Sequence, residues 1–240
     1  MSHLHFPDGV LPVYLWAAGL AVTAIIMSLV LYRLGKQEQV KKLPMVGILV
    51  AIMLLAMSIP LGFLPYHLNL TVLSGIILGP SLAFIAVFIV NLFLSFMGHG
   101  GITVVGLNTL VIGLEAVVGF LGFSLLKPIF RPTGAAAAAT LCALVLSIIF
   151  AFGIVTASQL SYSDIMEVAV GEEHTDCSHC GHDHSASHDC SGHLLEAMKA
   201  KTPVSFIQIM SAAALPGILL ETIVVASIVG YLARVKPGLL

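Results

Sequence analysis

Residues 68–97 read LNLTVLSGIILGPSLAFIAVFIVNLFLSFM, some 30 mostly apolar positions interrupted by Leu78-Gly79-Pro80. A membrane-spanning helix needs about 20 consecutive apolar residues. As one crossing the stretch is long and broken in the middle; as two, each half is short. One crossing here gives the chain six spans, and two meeting at Gly-Pro give seven. The choice fixes the side of the membrane on which every later loop lies.

The other apolar segments are clear: 13–32, 44–63, 102–126, 135–160 and 204–233. Only 9% of the 240 residues are charged and 58% are hydrophobic, with a mean hydropathy of +1.05. A soluble domain carries roughly 25% charged residues, so this is an integral membrane protein. The formal net charge of −2 implies nothing about nucleic acid, but the basic residues are too few and too scattered for a phosphate-binding face. MSHLHFPDG lacks the basic n-region of a cleavable signal, so the first apolar segment is expected to remain as a transmembrane helix.

Charge decides between six and seven. Basic residues cluster at Arg33, Lys36, Lys41 and Lys42, at Lys127 and Arg131, and at Arg234 and Lys236. Such clusters favour the cytoplasmic side. With the N-terminus outside, the first segment delivers 33–42 to the cytoplasm and the second returns the chain outside near His67. A single crossing through 68–97 would then strand 127–131 outside. Two crossings place 98–101 outside, 127–131 inside, the loop 161–203 outside and 234–236 inside. Eight of the ten basic residues then face the cytoplasm, leaving Lys199 and Lys201 in a long external loop where the rule is weak.

The expected fold is an all-α, polytopic transmembrane helix bundle of about seven crossings, six being the alternative. Its N-terminus is outside and its C-terminus cytoplasmic. It forms one membrane domain over 1–240, with a short tail at 1–12. Each half of 68–97 is short enough to be tilted, buried or re-entrant. This topology gathers all ten histidines on the outer face or just within it, the polarity of an importer.

The external loop carries EEHTDCSHCGHDHSASHDCSGH at 172–193, with six His, three Cys, three Asp and two Glu. Imidazole, thiolate and carboxylate are the side chains that hold transition metals. His174, Cys177, His179, Cys180, His182, His184, His188, Cys190 and His193 are the accessory loop ligands. Cys177 and Cys180 have a spacing common in zinc sites, but nothing else fixes one geometry. A weak, multi-ion antenna follows; on an oxidising face the cysteines could instead form a disulfide. Cys142 lies in an apolar run and reads as a small buried hydrophobe.

Elsewhere the polar residues are few. His3 and His5 stand near the terminal amine, and an amine, a deprotonated amide and an imidazole together favour nickel or copper geometry. With Met1 retained His3 is third, and with Met1 removed it is second; the alternative is a tail with incidental histidines. His67, in PYHLNL, is read at the interface where helix two emerges. A lone His there is often structural, but Asn69 and the Gly-Pro break favour a site, because broken helices at membrane depth line sites. His99 and Asn108 lie in MGHGGITVVGLNTL, whose plain reading is a tight turn with a helix-packing Asn. Glu115 and Glu221 fall near the middle of their helices, where ionisable groups are costly and functional or paired. Ala17, Ala21 and Ala24 suit close helix packing, within the protein or with another subunit.

In order and spacing these pieces resemble the CbiM/NikM family, the substrate-capture subunits of energy-coupling-factor importers for cobalt and nickel. The likeness runs from His5-Phe6-Pro7-Asp8-Gly9-Val10-Leu11-Pro12 through His67 and Gly79-Pro80. It continues in Gly98-His99-Gly100-Gly101-Ile102-Thr103 with Gly106 and Asn108, then Pro216 to Glu221 and Pro237. The resemblance implies that the tail folds back into the bundle, and that the terminal amine of Met1, an adjacent His and His67 supply nitrogen ligands. The family pattern begins Met-His, whereas three more residues precede His5 here. Either the chain starts differently in the cell, or the amine and His3 form a rearranged chelate. His99 is a further ligand candidate, with Asp8, Asn108 and Glu221 as supports.

The resemblance further implies a transmembrane coupling subunit, ATPase subunits and a small accessory membrane protein, all in a prokaryotic cytoplasmic membrane. The chain has no G-x-x-x-x-G-K-[ST] loop to be its own motor, so it is not expected to be an enzyme. No prosthetic group is expected, and Co²⁺ or Ni²⁺ is cargo. The rival is a self-sufficient metal permease or exporter, which would want metal or proton-relay residues inside several helices; only Glu115 and Glu221 qualify. A metal sensor using the loop alone leaves the crossings unexplained.

Overall fold

The structure, a computed structural model, describes residues 6, 8–9, 11–34, 42–58, 67–98, 100–157, 203–236 and 238, apart from the side chains of 155–157 and 203–213. Among the described residues it is all helical. The elements are α1 (Val13–Leu34), α2 (Leu43–Ser58), α3 (Thr71–Leu78), α4 (Pro80–Phe96), α5 (Val105–Leu126), α6 (Pro132–Ala157) and α7 (Pro203–Val235). Four stretches are long and apolar enough to cross a membrane: Val13–Leu34, Val105–Leu126, Pro132–Ile154 and Ala214–Val235. At 1.5 Å per residue a 22-residue helix is about 33 Å long, the thickness of a hydrocarbon core. Their outward faces carry Ile25, Leu29, Leu125, Ile149 and Ile223, all exposed, as lipid requires.

The stretch 68–97 breaks where the Gly-Pro pair predicts. Gly79 has φ +83° and ψ 168°, a conformation essentially reserved for glycine. Pro80 occupies the start of α4, where its missing N–H leaves no bond unmade. The Gly79 N–H still closes α3 on the Gly75 carbonyl at 2.9 Å, and the Gly79 carbonyl opens α4 by accepting from Ala83 N at 3.0 Å. The halves are unequal. α4 has 17 residues, but α3 has only 8, about 12 Å of helix. It is far shorter than a spanning helix, and all eight of its residues are buried in protein.

α5 is the central post, packed against α1, α3, α4 and α6, while α7 lies on α6 and α2 on α4. The main core joins Met53 of α2, Val72 of α3, Leu82 and Val87 of α4, Ile112 and Ala116 of α5 and Val225 of α7. Between helices in lipid, close packing replaces the hydrophobic effect as the driving force, so small residues mark the contacts. Ala135, Ala136, Ala139 and Ala143 of α6 are fully buried. On α1 the packing residues are Gly19 and Thr23, whose hydroxyl donates to the Gly106 carbonyl at 2.8 Å; Ala17, Ala21 and Ala24 are exposed and do not pack among the described residues of this chain. Cys142 is likewise exposed rather than buried as expected, because α6 turns its alanines inward and Cys142 outward.

Candidate metal-capture site

The chain ahead of α1 is fastened to the start of α5. The Phe6 N–H donates to Asn108 Oδ1 at 2.9 Å, and Asn108 Nδ2 donates back to the Phe6 carbonyl at 3.1 Å. The same carbonyl accepts from Gly101 N at 3.2 Å. One side-chain amide thus does for Phe6 what a neighbouring β-strand would do, which satisfies backbone groups that burial would otherwise leave costly. The Phe6 ring is 3% exposed and packs with Leu11, Val104, Leu107, Val111 and Ala151, with Trp16 against the cluster.

Two residues on, Asp8 accepts from Ile102 N and Thr103 N, both at 2.9 Å, and from the Thr103 hydroxyl. The turn leading into α5 has no side-chain cap of its own, so a carboxylate from the tail serves, next to the positive end of the helix dipole. Gly101 leaves room for it: a Cβ there would lie 2.2 Å from Asp8 Oδ1. Partial burial alone would raise the Asp8 pKa. The hydrogen bonds from Thr103, Ile102 and Val104 outweigh it and hold the carboxyl below its ordinary 3.8.

A pKa depressed in the folded state gives stability that is complete above the unfolded value and lost as pH falls through the folded one. Tail docking is therefore expected to hold from pH 7 down to about 4 and to fail only in stronger acid. Trp16, the single tryptophan, reports it: its emission should move to the red below that range. Asp8→Asn, which sets an NH₂ against N–H donors, should show the shifted spectrum already at neutral pH. Asn108→Leu keeps the volume but leaves the Phe6 N–H without its acceptor, at a cost of about 1–3 kcal/mol. The same reporter should then show undocking, and apparent metal affinity should fall in proportion to the docked fraction.

The second component is the non-helical segment 67–70. Asn69 is fully buried; its Nδ2 donates to Glu115 Oε2 at 2.6 Å, and its Oδ1 accepts from Thr71 N at 3.2 Å and from the Thr71 hydroxyl. Ser147 of α6 hydrogen-bonds the same Glu115 carboxyl. Glu115 lies ten residues beyond Val105, the first residue of α5, about 15 Å along the helix. The segment carrying His67 therefore dips to the middle of the bundle, which corrects its reading as an interface turn. His67 is half-buried, with Nδ1 enclosed. Irregular backbone at such depth is tolerated where protein surrounds it or a cavity adjoins it.

Asn108 and Glu115 are seven residues apart on α5. At 100° per residue they share a face to within about 20°, separated by about 10 Å along the axis. The tail is pinned at one end of this stripe and the His67 segment at the other.

Met1, His3, His5, His99 and the loop ligands of 172–193 lie outside the described residues. Among the described residues His67 is the one histidine, and no group of three or more His, Cys, Asp or Glu could hold an ion by itself. Glu221 is fully buried in α7, on a different helix from the Asp8 and Asn108 clamp. The sequence reading named Thr103 only as part of the Gly98–Thr103 motif, and Asn91 not at all. Asn91 donates to the Thr109 hydroxyl at 3.3 Å beside the tail anchor, and Ser95 donates to the Asn91 carbonyl at 2.7 Å. An asparagine inside an apolar run was the available signal for it.

No curated protein matches the chain. Two crystal structures are similar in fold. One, of a transition metal transporter, aligns with TM-score 0.66 and 18% identity over 98% of this chain and 94% of its own. The other, of a truncated transition metal transporter, aligns with TM-score 0.62 and 17% identity over 98% and 99%. The profile of CbiM, described as the cobalt uptake substrate-specific transmembrane region, matches residues 5–239. The chain accordingly belongs to the CbiM family of cobalt-uptake transmembrane proteins.

Proposed function

We propose that this protein is the metal-capturing subunit of an ATP-driven energy-coupling-factor importer for Co²⁺ or Ni²⁺ in a prokaryotic cytoplasmic membrane. The N-terminus lies outside and the C-terminus in the cytoplasm. The ion is taken from outside by nitrogen donors of the N-terminal tail, namely the Met1 amine with His3 or His5, and by His67, with His99 as a further ligand candidate and Asp8, Asn108 and Glu221 as supports. Residues 172–193 raise the local ion concentration. A separate transmembrane coupling subunit, ATPase subunits and a small accessory membrane protein complete the importer; ATP is hydrolysed there.

The observation that carries this reading is the shared stripe of α5. His5 is covalently next to Phe6, which Asn108 holds, and His67 is two residues from Asn69, which Glu115 holds. Five residues precede Phe6, and an extended chain of that length reaches about 17 Å. That exceeds the roughly 10 Å between the two pins, so the tail is long enough to bring its nitrogens to the level of His67. Such a donor set suits cobalt and nickel.

The test is a titration of the purified protein lacking 172–193 with Ni²⁺ and Co²⁺. One tight site is expected to remain, with the tighter ion naming the cargo, and cellular uptake should stop when the partner ATPase is inactivated. A loop-less protein with no tight site, or uptake that persists without the ATPase, would sink the proposal.

A further inference from the structure

We infer that Glu115 is a positioning residue for metal capture: acting through Asn69, it fixes the depth and orientation of the segment that carries His67. This deepens the function proposed above and rests on it.

The argument begins with cost. A carboxyl group fully buried in the middle of an apolar helix is expensive, and among the described residues no basic side chain lies at its level, since Arg33, Lys42, Lys127, Arg131, Arg234 and Lys236 all stand at helix ends or between helices. What Glu115 does hold is Asn69, through a short N–H···O bond of 2.6 Å. Asn69 in turn uses its carbonyl oxygen to start α3 by accepting from Thr71. Both Asn69 groups are committed, and both partners are buried. The bond therefore spans two elements that nothing in the local sequence would bring together, 46 residues apart.

The segment needs such a pin because its own structure is weak. Residues 67–70 have no helix or strand, and the helix they start has only eight residues, too few to be stable by itself. A histidine on an unpinned segment would sample many positions, and a metal site loses affinity when its ligands are not held. Asn108 pins the tail on the same face of α5 two turns away. The straight helix between them thus sets the distance between the two ligand-bearing segments.

The experiment uses the full-length protein, whose His-rich loop adds the same background to every variant. Ni²⁺ and Co²⁺ affinities and the Ni²⁺ d–d absorption spectrum are measured for the parent, His67→Ala, Glu115→Leu, Glu115→Gln, Asn69→Ala and the Glu115→Leu/Asn69→Ala pair. Glu115→Leu and Asn69→Ala are each expected to lower affinity by about 10–100-fold and to alter the spectrum. The double variant should lose no more than either single one, because the two act as one unit. Glu115→Gln keeps an oxygen acceptor for the Asn69 amide and should restore much of the affinity.

Parent-like affinity and spectrum in both Glu115→Leu and Asn69→Ala would overturn the inference while leaving His67-dependent capture standing. Additive losses in the double variant would also overturn it. Affinity indifferent to His67→Ala would overturn the capture reading itself. If Glu115→Leu fails to fold, Asn69→Ala and Glu115→Gln carry the decision, with the spectrum separating a displaced ligand from a merely weakened bundle.

Discussion

His67→Ala is expected to abolish tight Ni²⁺ and Co²⁺ binding, lowering affinity by more than the roughly 100-fold ceiling for residues that only support a ligand, while leaving the bundle folded. The two halves of this expectation have separate grounds. His67 is the one described histidine, and it sits on a segment held at mid-bundle depth by Asn69 and Glu115. No other described imidazole can replace it. Yet His67 lies outside both apolar cores and is half-exposed. Truncating it should therefore cost about 1 kcal/mol of stability, the ordinary cost of a point substitution. Titration of the purified variant, with its thermal unfolding in detergent run in parallel, checks both. Binding of parental strength would remove His67 from the site. Lost binding with collapsed stability would make its role structural instead.

Gly75→Ala is expected to produce the opposite signature, a large loss of stability from one added methyl group. The new Cβ would stand 2.3 Å from the Ala116 carbonyl oxygen and 3.1 Å from the Ala116 Cα. These are backbone atoms of the central helix, so no side-chain rotation relieves the contact. α3 must move away from α5 as a body. Overpacking of a well-filled core costs about 1–3 kcal/mol and occasionally more, and a clash with backbone belongs at the top of that range. Because α3 begins at Thr71, its displacement also drags Asn69 off Glu115. Metal affinity should therefore fall even though Gly75 is remote from any ligand. A melting temperature equal to the parent's would show that the two helices are less tightly seated than the contact at Gly75 implies.

Much of the architecture was legible because lipid imposes simple rules. The long apolar runs became α1, α5, α6 and α7 within a few residues of their expected ends, and the Gly79-Pro80 break separated α3 from α4. What stayed hidden was depth. His67 read as an interface residue because periodicity and hydropathy report which segments are apolar, not how far an irregular segment descends between its neighbours. Only the Asn69–Glu115 bond reveals that. The same limit applies to partners. Glu115 was conspicuous as a carboxyl in an apolar helix, but its mate lay 46 residues back, and no local spacing encodes that pairing. Asp8 and Asn108 belonged to the motifs that marked the family. Their service as the two clasps of one tail emerged only when α5 placed their partners side by side.

The burial of α3 bears on how the protein meets membranes of different composition. A helix that touches acyl chains must tilt, bend or thin its surroundings whenever bilayer thickness departs from its own length. α1 and α6, with many exposed apolar side chains, carry that adjustment. α3 exposes none of its eight residues and rides on α5 rather than on lipid. Hydrophobic mismatch is thus absorbed at the periphery, and the segment before α3 is insulated from it. A shift in lipid chain length or growth temperature would change the tilt of the outer helices long before it disturbed the spacing along α5.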